Sequence, residues 1–457
     1  MSLKNLTLKL ILLSLPFNYG LTLQIGFNFK IYEIVFLIYL LVSIICTLYS
    51  GTISVKLQEE NFDINIIVSV LFCSFVLSNL IAFYYFNINI GDAGIYYQWA
   101  VGRFSPFLNS PIAVAYVVFS LLIFLFFLHN ISQLTINSAL KVWVAGAVLC
   151  VVYLAYCNVA LFVGLPEILL PGMDEGFQFG NVFGREIIRS GTFKEGNFLS
   201  GYLLASSVFS YYLYLNENRI RYLFFSLIFT SSIFLTLSTV GVILIFLFWI
   251  LYFSANMLFI RKISRQALFK SLIIIISVVV LLNVSGIKEY FSEIIIEKVI
   301  YTDIAESSTA YSKFDRIDSL IKAVEIFFDY PLSGVGTYNF GYYYPLYWTE
   351  ELFPDGTEFK KIPNNVYIQL LCENGIIVII PFLIFFAIIF RRFIRIKQKK
   401  KEHLLMISLF LAILIKWNAY PSYTLVYDWV SFSIIAFSFG NCRYINIHKY
   451  SAKAVNQ

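Results

Sequence analysis

The sequence predicts an all-α fold, a polytopic transmembrane bundle of about 12 spans with a large extracytoplasmic loop containing amphipathic helices. Three observations predict it. Charged residues are 13% of the 457 and mean hydropathy is +0.78, where a soluble domain carries about 25% charge. Apolar runs recur along the chain at lengths that cross a hydrocarbon core of about 30 Å. Lysines and arginines gather in short connections between those runs, as the positive-inside bias requires.

In chain order the apolar segments are 6–23, 31–49, 64–86, 111–128, 142–164, 198–215, 222–238, 240–260, 268–284, 366–390, 404–420 and 424–440. The first follows Lys4 and contains Pro16 and Asn18. No small-x-small cleavage site follows it, so it reads as an uncleaved span. The seventh and eighth meet at Ser238-Thr239 almost without a loop, which also suits one long re-entrant element.

Orientation follows from the basic clusters. Arg391, Arg392, Arg395, Lys397, Lys399, Lys400 and Lys401 separate spans ten and eleven and are placed in the cytoplasm. Arg219 and Arg221 then also fall inside, as do Arg261, Lys262, Arg265 and Lys270. Both termini fall inside. Residues 1–284 thus hold spans one to nine, with outer loops at 87–110 and 165–197. Residues 285–365 form the extracytoplasmic loop, 366–440 hold the last three spans, and 441–457 are a cytoplasmic tail. An 80-residue connection on this scale is expected to be functional.

Composition excludes several classes. A net charge of +6 held in short loops is no nucleic-acid footprint. The six cysteines lie in or beside apolar segments without paired spacing and read as buried thiols. No metal and no cofactor is expected. His129, His403 and His448 all fall on the cytoplasmic side. An outward-facing site therefore has no histidine for base chemistry.

The large loop carries an amphipathic helix. Phe314, Ile317, Leu320, Ile321, Val324, Phe327 and Phe328 recur at helical spacing, opposite Asp315, Arg316, Ser319, Lys322 and Glu325. Such a helix lies on the outer membrane surface or against the bundle. Pro331 ends it. Gly334 and Gly336 then suit a tight turn or a phosphate cradle. In the loop before span six stand Arg185, Arg189 and Lys194, a positive cluster on the outer side. It pairs with Glu186 and Glu195, or it binds an anion through the planar guanidinium fork. Glu373, Lys416 and Asp428 sit within spans near the outer side. They pair with each other or line a wet site.

Three patches together resemble the O-antigen ligase and polymerase superfamily of bacterial envelope glycosyltransferases. They are Arg189-x-Gly191-Thr192-Phe193 leading to Asn197, Ser312-x-x-x-Arg316 with a helix ending at Pro331-Leu332-x-Gly334-x-Gly336, and Asn364-Asn365-Val366-Tyr367 running to Glu373-Asn374-Gly375. The resemblance implies a multi-pass enzyme of the bacterial inner membrane that uses an undecaprenyl-diphosphate-linked oligosaccharide on the periplasmic face. Its partners would be that substrate, membrane lipid and a chain-length regulator protein, with no nucleic acid. It implies that Arg189 and Arg316 engage the donor diphosphate; Arg185, Asn365, Gly334 and Gly336 are further candidate substrate-binding positions.

Two departures from the family pattern matter. Asn364 stands where ligases carry the histidine proposed to activate the acceptor, and an amide is not a base near neutral pH. Asp315 and Glu373 are then the candidate bases, with Asn364 orienting the acceptor. Leu237-Ser238-Thr239 stands where relatives often carry Ser-Arg. The expectation is an O-antigen polymerase. The alternatives are an O-antigen ligase and, from another class, a flippase of lipid-linked oligosaccharide. No clear internal repeat supports transport.

Overall fold

The computed structural model describes residues 3–25, 27–50, 61–84, 106–173, 176–182, 184–260, 308–347, 362–419, 421 and 423–440. The predicted span 268–284, the basic cluster 261–270, most of the loop 87–110 and the tail 441–457 lie outside them. So does the first part of the 285–365 segment, up to residue 307.

The elements in order are α1 (Leu3–Ser14), the β1–β2 hairpin (Thr22–Ile25, Phe27–Lys30), α2 (Ile31–Ser50), α3 (Phe62–Ala82), α4 (Pro106–Asn130) and α5 (Ile136–Val163). The β3–β4 hairpin (Phe179–Val182, Arg185–Ile188) leads to α6 (Gly196–Glu217), α7 (Ile220–Leu235) and α8 (Thr239–Ile260). Then come α9 (Ser308–Asp329), the short α10 (Phe340–Tyr343), α11 (Val366–Ile394), α12 (Lys401–Lys416) and α13 (Val426–Gly440).

Seven of the described helices are long and apolar enough to cross a membrane, namely α2, α3, α4, α5, α6, α8 and α11, with α7 and α13 shorter and apolar. The expected first span is not a single helix. Its helix stops at Ser14, and 12 residues at about 1.5 Å each fall well short of a 30 Å core. Pro16 cannot continue the backbone ladder, and the chain turns into an antiparallel hairpin pairing Thr22 with Lys30. The Ser238-Thr239 junction separates two helices rather than running through one. The Thr236 hydroxyl accepts from Ser238 N–H at 3.3 Å, and Ser238 Oγ accepts from Gly241 N–H at 3.0 Å, which caps the start of α8.

The core is aromatic and continuous across the bundle. Trp143 stacks on Tyr202 with centroids 5.2 Å apart, and its indole N–H donates to Ser206 at 2.8 Å. Trp417, Trp429, Phe382, Phe385, Phe386 and Phe432 fill the centre between α11, α12 and α13.

The bundle has two chemically distinct ends. At one, Arg392 on α11 donates to Asn61 at 2.8 Å and pairs with Asp63 at the start of α3. Lys141 pairs with Glu217 at 2.6 Å there, and the Lys399 ammonium lies over Phe259. The cluster 391–401 and the Arg219/Arg221 turn share this end. At the other end lie both hairpins, the start of α6, the start of α11 and the 331–344 turn.

Candidate functional site

The second end is assembled from three pieces of chain that the sequence keeps far apart. The first is the loop from β4 into α6. Asn158 on α5 brackets Ile188, donating to its carbonyl and accepting from its N–H, each at 2.9 Å. Thr192 donates to the Pro16 carbonyl at 2.6 Å, and its own carbonyl accepts from Tyr19 N–H at 3.0 Å. Phe193 is fully buried against Tyr202 and Tyr427. Gly191 has φ 55°, a left-handed conformation that favours glycine. The Gly191-Thr192-Phe193 run is thus the anchor, and Arg189 is what it presents. Arg189 N–H donates to Gln178 at 2.9 Å, and the side chain runs between Gly180 and Gly196, where any Cβ would meet it. Arg185 is exposed at the end of the hairpin, opposite Val182, and does not join this packing.

The second piece is α9. Arg316, Ser319, Ala323 and Ile326 share one helical face. Ser319, Ala323 and Ile326 are buried and Arg316 is half-buried. Part of the apolar stripe read from the sequence faces away from the bundle, with Ile317, Ile321, Val324 and Phe328 exposed, while Phe327 packs against the cluster of Ala323 and Ile326. Arg316 lies within electrostatic reach of Glu195 in the first piece. Burial holds its guanidinium pKa below the usual value, and Glu195 offsets part of that shift. The Asp315 side chain lies outside the described residues. Asp318 receives the Tyr344 hydroxyl, and Asp329 receives that of Tyr347, so α10 and its following turn fold back on α9.

The third piece is the start of α11. Asn365 is its N-cap, accepting from Tyr367 N–H at 2.9 Å and Ile368 N–H at 3.2 Å. Its amide nitrogen donates to Asn418 at 3.2 Å. Both ends of that side chain therefore serve the fold, and the half-buried Asn364 precedes it. About two turns further, Glu373 is buried, accepting from Gln369 at 3.2 Å and from the Tyr423 hydroxyl at 3.4 Å.

Pieces two and three are joined by the glycines. The α11 backbone breaks at Gly375, with φ 64° and ψ −165°. The 331–336 turn docks into the break. Val335 N–H donates to the Cys372 carbonyl at 3.0 Å and Gly336 N–H to the Glu373 carbonyl at 2.7 Å. In return Ile376 N–H donates to the Pro331 carbonyl at 3.0 Å. Gly334 N–H donates to the Tyr330 carbonyl at 2.9 Å. The amides of Gly334 and Gly336 are thus occupied within the fold, which is the turn role rather than the phosphate-cradle role.

Two clusters escaped the sequence reading. Asn374 Oδ1 accepts from Thr337 at 2.6 Å and Ser78 at 3.1 Å, while Thr337 N–H donates to Asn79 Oδ1 at 2.9 Å. Ser110 also donates to Asn79. Separately, Lys30 donates to the Tyr116 hydroxyl at 2.8 Å and pairs with Glu33 at 3.3 Å. The Glu33–Lys30 spacing signals the second. Nothing local signals the first, because Ser78 lies 296 residues before Asn374 and Asn79 lies 258 before Thr337. Of the three ionisable residues read within spans, Lys416 and Asp428 pair at 2.6 Å, while Glu373 has its own partners. Among the described residues no cluster of three or more His, Cys, Asp or Glu side chains could hold a metal ion.

No curated protein matches the chain. Residues 222–383, which include Arg316, Gly334, Glu373 and Gly375, match the family model Wzy_C, described as O-Antigen ligase. Over residues 222–383, that match supports the resemblance to the O-antigen ligase and polymerase superfamily.

Proposed function

We propose that this protein is an O-antigen polymerase of the bacterial inner membrane, with the end of the bundle that carries Arg189, Arg316 and Asn364 facing the periplasm. The superfamily covers O-antigen ligases and polymerases, membrane glycosyltransferase-like enzymes of lipopolysaccharide biosynthesis. The observation that carries the proposal is the convergence of Arg316 on α9 with the Glu195 loop that presents Arg189, at the end opposite the basic 391–401 cluster.

The donor would be a glycan on undecaprenyl diphosphate. The acceptor hydroxyl, at the nonreducing end of a second lipid-linked repeat unit, attacks the anomeric carbon. The bond from that carbon to the phosphate oxygen breaks, and the diphosphate leaves with the electron pair. Arg189 and Arg316 neutralise the charge that develops there. The acceptor proton passes to a carboxylate. Glu373 is one candidate base, its carboxylate oriented by two donors. Asp315 is the other candidate. Asn364 orients the acceptor rather than deprotonating it.

The ligase remains the second reading, because the matching family model is described as O-Antigen ligase. Deleting the gene separates the two. Loss of a polymerase leaves surface lipopolysaccharide with core plus a single repeat on a gel, whereas loss of a ligase or flippase leaves bare core. An unchanged ladder would exclude all three. In reconstituted protein, Glu373→Gln keeps an acceptor for Tyr423 and removes the base, so the rate should fall by about 10²–10⁴-fold. A wild-type rate in Glu373→Gln beside an inactive Asp315→Asn would transfer the role to Asp315.

A further inference from the structure

Lys416 and Asp428 are each about 99% buried, and the ammonium contacts both carboxylate oxygens at 2.6 Å. Burying such a pair costs desolvation that an apolar pair of like volume would not. Its presence where α12 ends and α13 begins needs a reason beyond stability, and its neighbours supply one. The Trp417 indole N–H donates to Asp428 at 2.9 Å. The Trp417 carbonyl accepts from Val366 N–H at 2.8 Å. That is the first residue of α11, directly after Asn364 and Asn365. On its other side Lys416 lies over the Tyr427 ring at 4.9 Å, and a Cβ at Gly201 would approach the ammonium at 3.2 Å. The Tyr427 hydroxyl donates to the Phe198 carbonyl at 3.0 Å, and its ring meets Phe193 edge-on at 6.0 Å. Phe193 and Phe198 flank Glu195, in the loop that presents Arg189.

We infer that the Lys416–Asp428 pair is a positioning device that sets the Arg189 loop and the Asn364–Asn365 turn at a fixed separation through Tyr427 on one side and Trp417 on the other. It touches neither substrate. This rests on the polymerase reading of the same site, in which Arg189 holds the donor and Asn364 the acceptor. An ion pair with an indole donor suits the task better than an apolar contact, because the carboxylate and ammonium have directional partners at the end of α12 and the start of α13.

The test uses the full-length protein in lipid with undecaprenyl-diphosphate-linked repeat unit as the probe. Two variants are compared with wild type. Lys416→Met/Asp428→Leu removes both charges together and leaves no unpaired ion. Tyr427→Phe keeps every ring contact and deletes only the hydroxyl. The inference expects the double variant to lose about a hundredfold in kcat, since a shift of about 1 Å between reacting groups costs that much. Tyr427→Phe should lose several-fold, and KM for the donor should change little in either. A merely structural role would lower the amount of folded protein and leave kcat per folded molecule unchanged. Wild-type kcat in a folded double variant overturns the inference. If that variant does not fold, wild-type kcat in Tyr427→Phe overturns it instead. A wild-type protein that fails to extend the probe at all refutes the polymerase reading, not the positioning role.

Discussion

Arg316→Ala is expected to abolish chain extension while the protein still inserts and accumulates. In reconstituted protein the rate should fall by about 10²–10³-fold or more, the scale of losing one preorganised charge at a leaving group. Folding should survive, because α9 packs through Ser319, Ala323 and Ile326, whereas Arg316 is only half-buried. Arg316→Lys should recover little. An ammonium on a flexible stem does not reproduce a planar, bidentate fork. Arg189→Ala should also be inactive, but it is the less clean test, since its side chain fills the space between Gly180 and Gly196. Long surface chains in an Arg316→Ala strain with normal protein levels would remove Arg316 from the diphosphate site.

Gly334→Ala is expected to be strongly destabilising. Gly334 has φ 62°, where an alanine pays a left-handed penalty of about 1–2 kcal/mol. The added methyl would also fall inside the backbone of Glu373 and Asn374. Backbone cannot move aside as a side-chain tip can, and overpacking adds about 1–3 kcal/mol. The 331–336 turn would leave the α11 break, exposing the carbonyls of Cys372 and Glu373. Thermal stability and steady-state abundance in the membrane report this directly. The neighbouring Ser333→Ala loses one hydroxyl contact, at 3.2 Å to the Gly334 carbonyl, and serves as the control. If Gly334→Ala were as stable as Ser333→Ala, the docked turn would not be what holds α9 to α11.

Much of this architecture was legible in the sequence for a simple reason. Apolar run length and basic loop clusters are local properties, and they locate α2 to α8 and α11 to α13 within a few residues. Where a local breaker interrupts a run, hydropathy misleads. Pro16 ends α1 early, and the apolar residues after it form a hairpin instead of the rest of a span. The amphipathic period of α9 was equally plain, but period alone does not say which face the bundle takes. The bundle takes the face of Ser319 and Ala323, because small side chains let α9 approach α11 closely, and it leaves Ile317, Ile321 and Phe328 outside. The glycines show the same limit. Spacing allows a turn or an anion cradle, and only the partners of their amides distinguish the two.

The sequence by itself therefore determined the class of the protein, the order of its helices, the segregation of its charges and the motifs shared with the superfamily. These depend on composition and short-range period, which need no folding to be read. Tertiary structure decided what those motifs do. It showed Gly191-Thr192-Phe193 to be an anchor for Arg189, Asn365 to be a cap, and Gly334 to be the close approach that seats a turn in the broken α11. It also brought Arg316 to Glu195, a separation of more than a hundred residues along the chain. Pairings across such distances depend on how helices pack, and packing is a property of the whole bundle rather than of any segment within it.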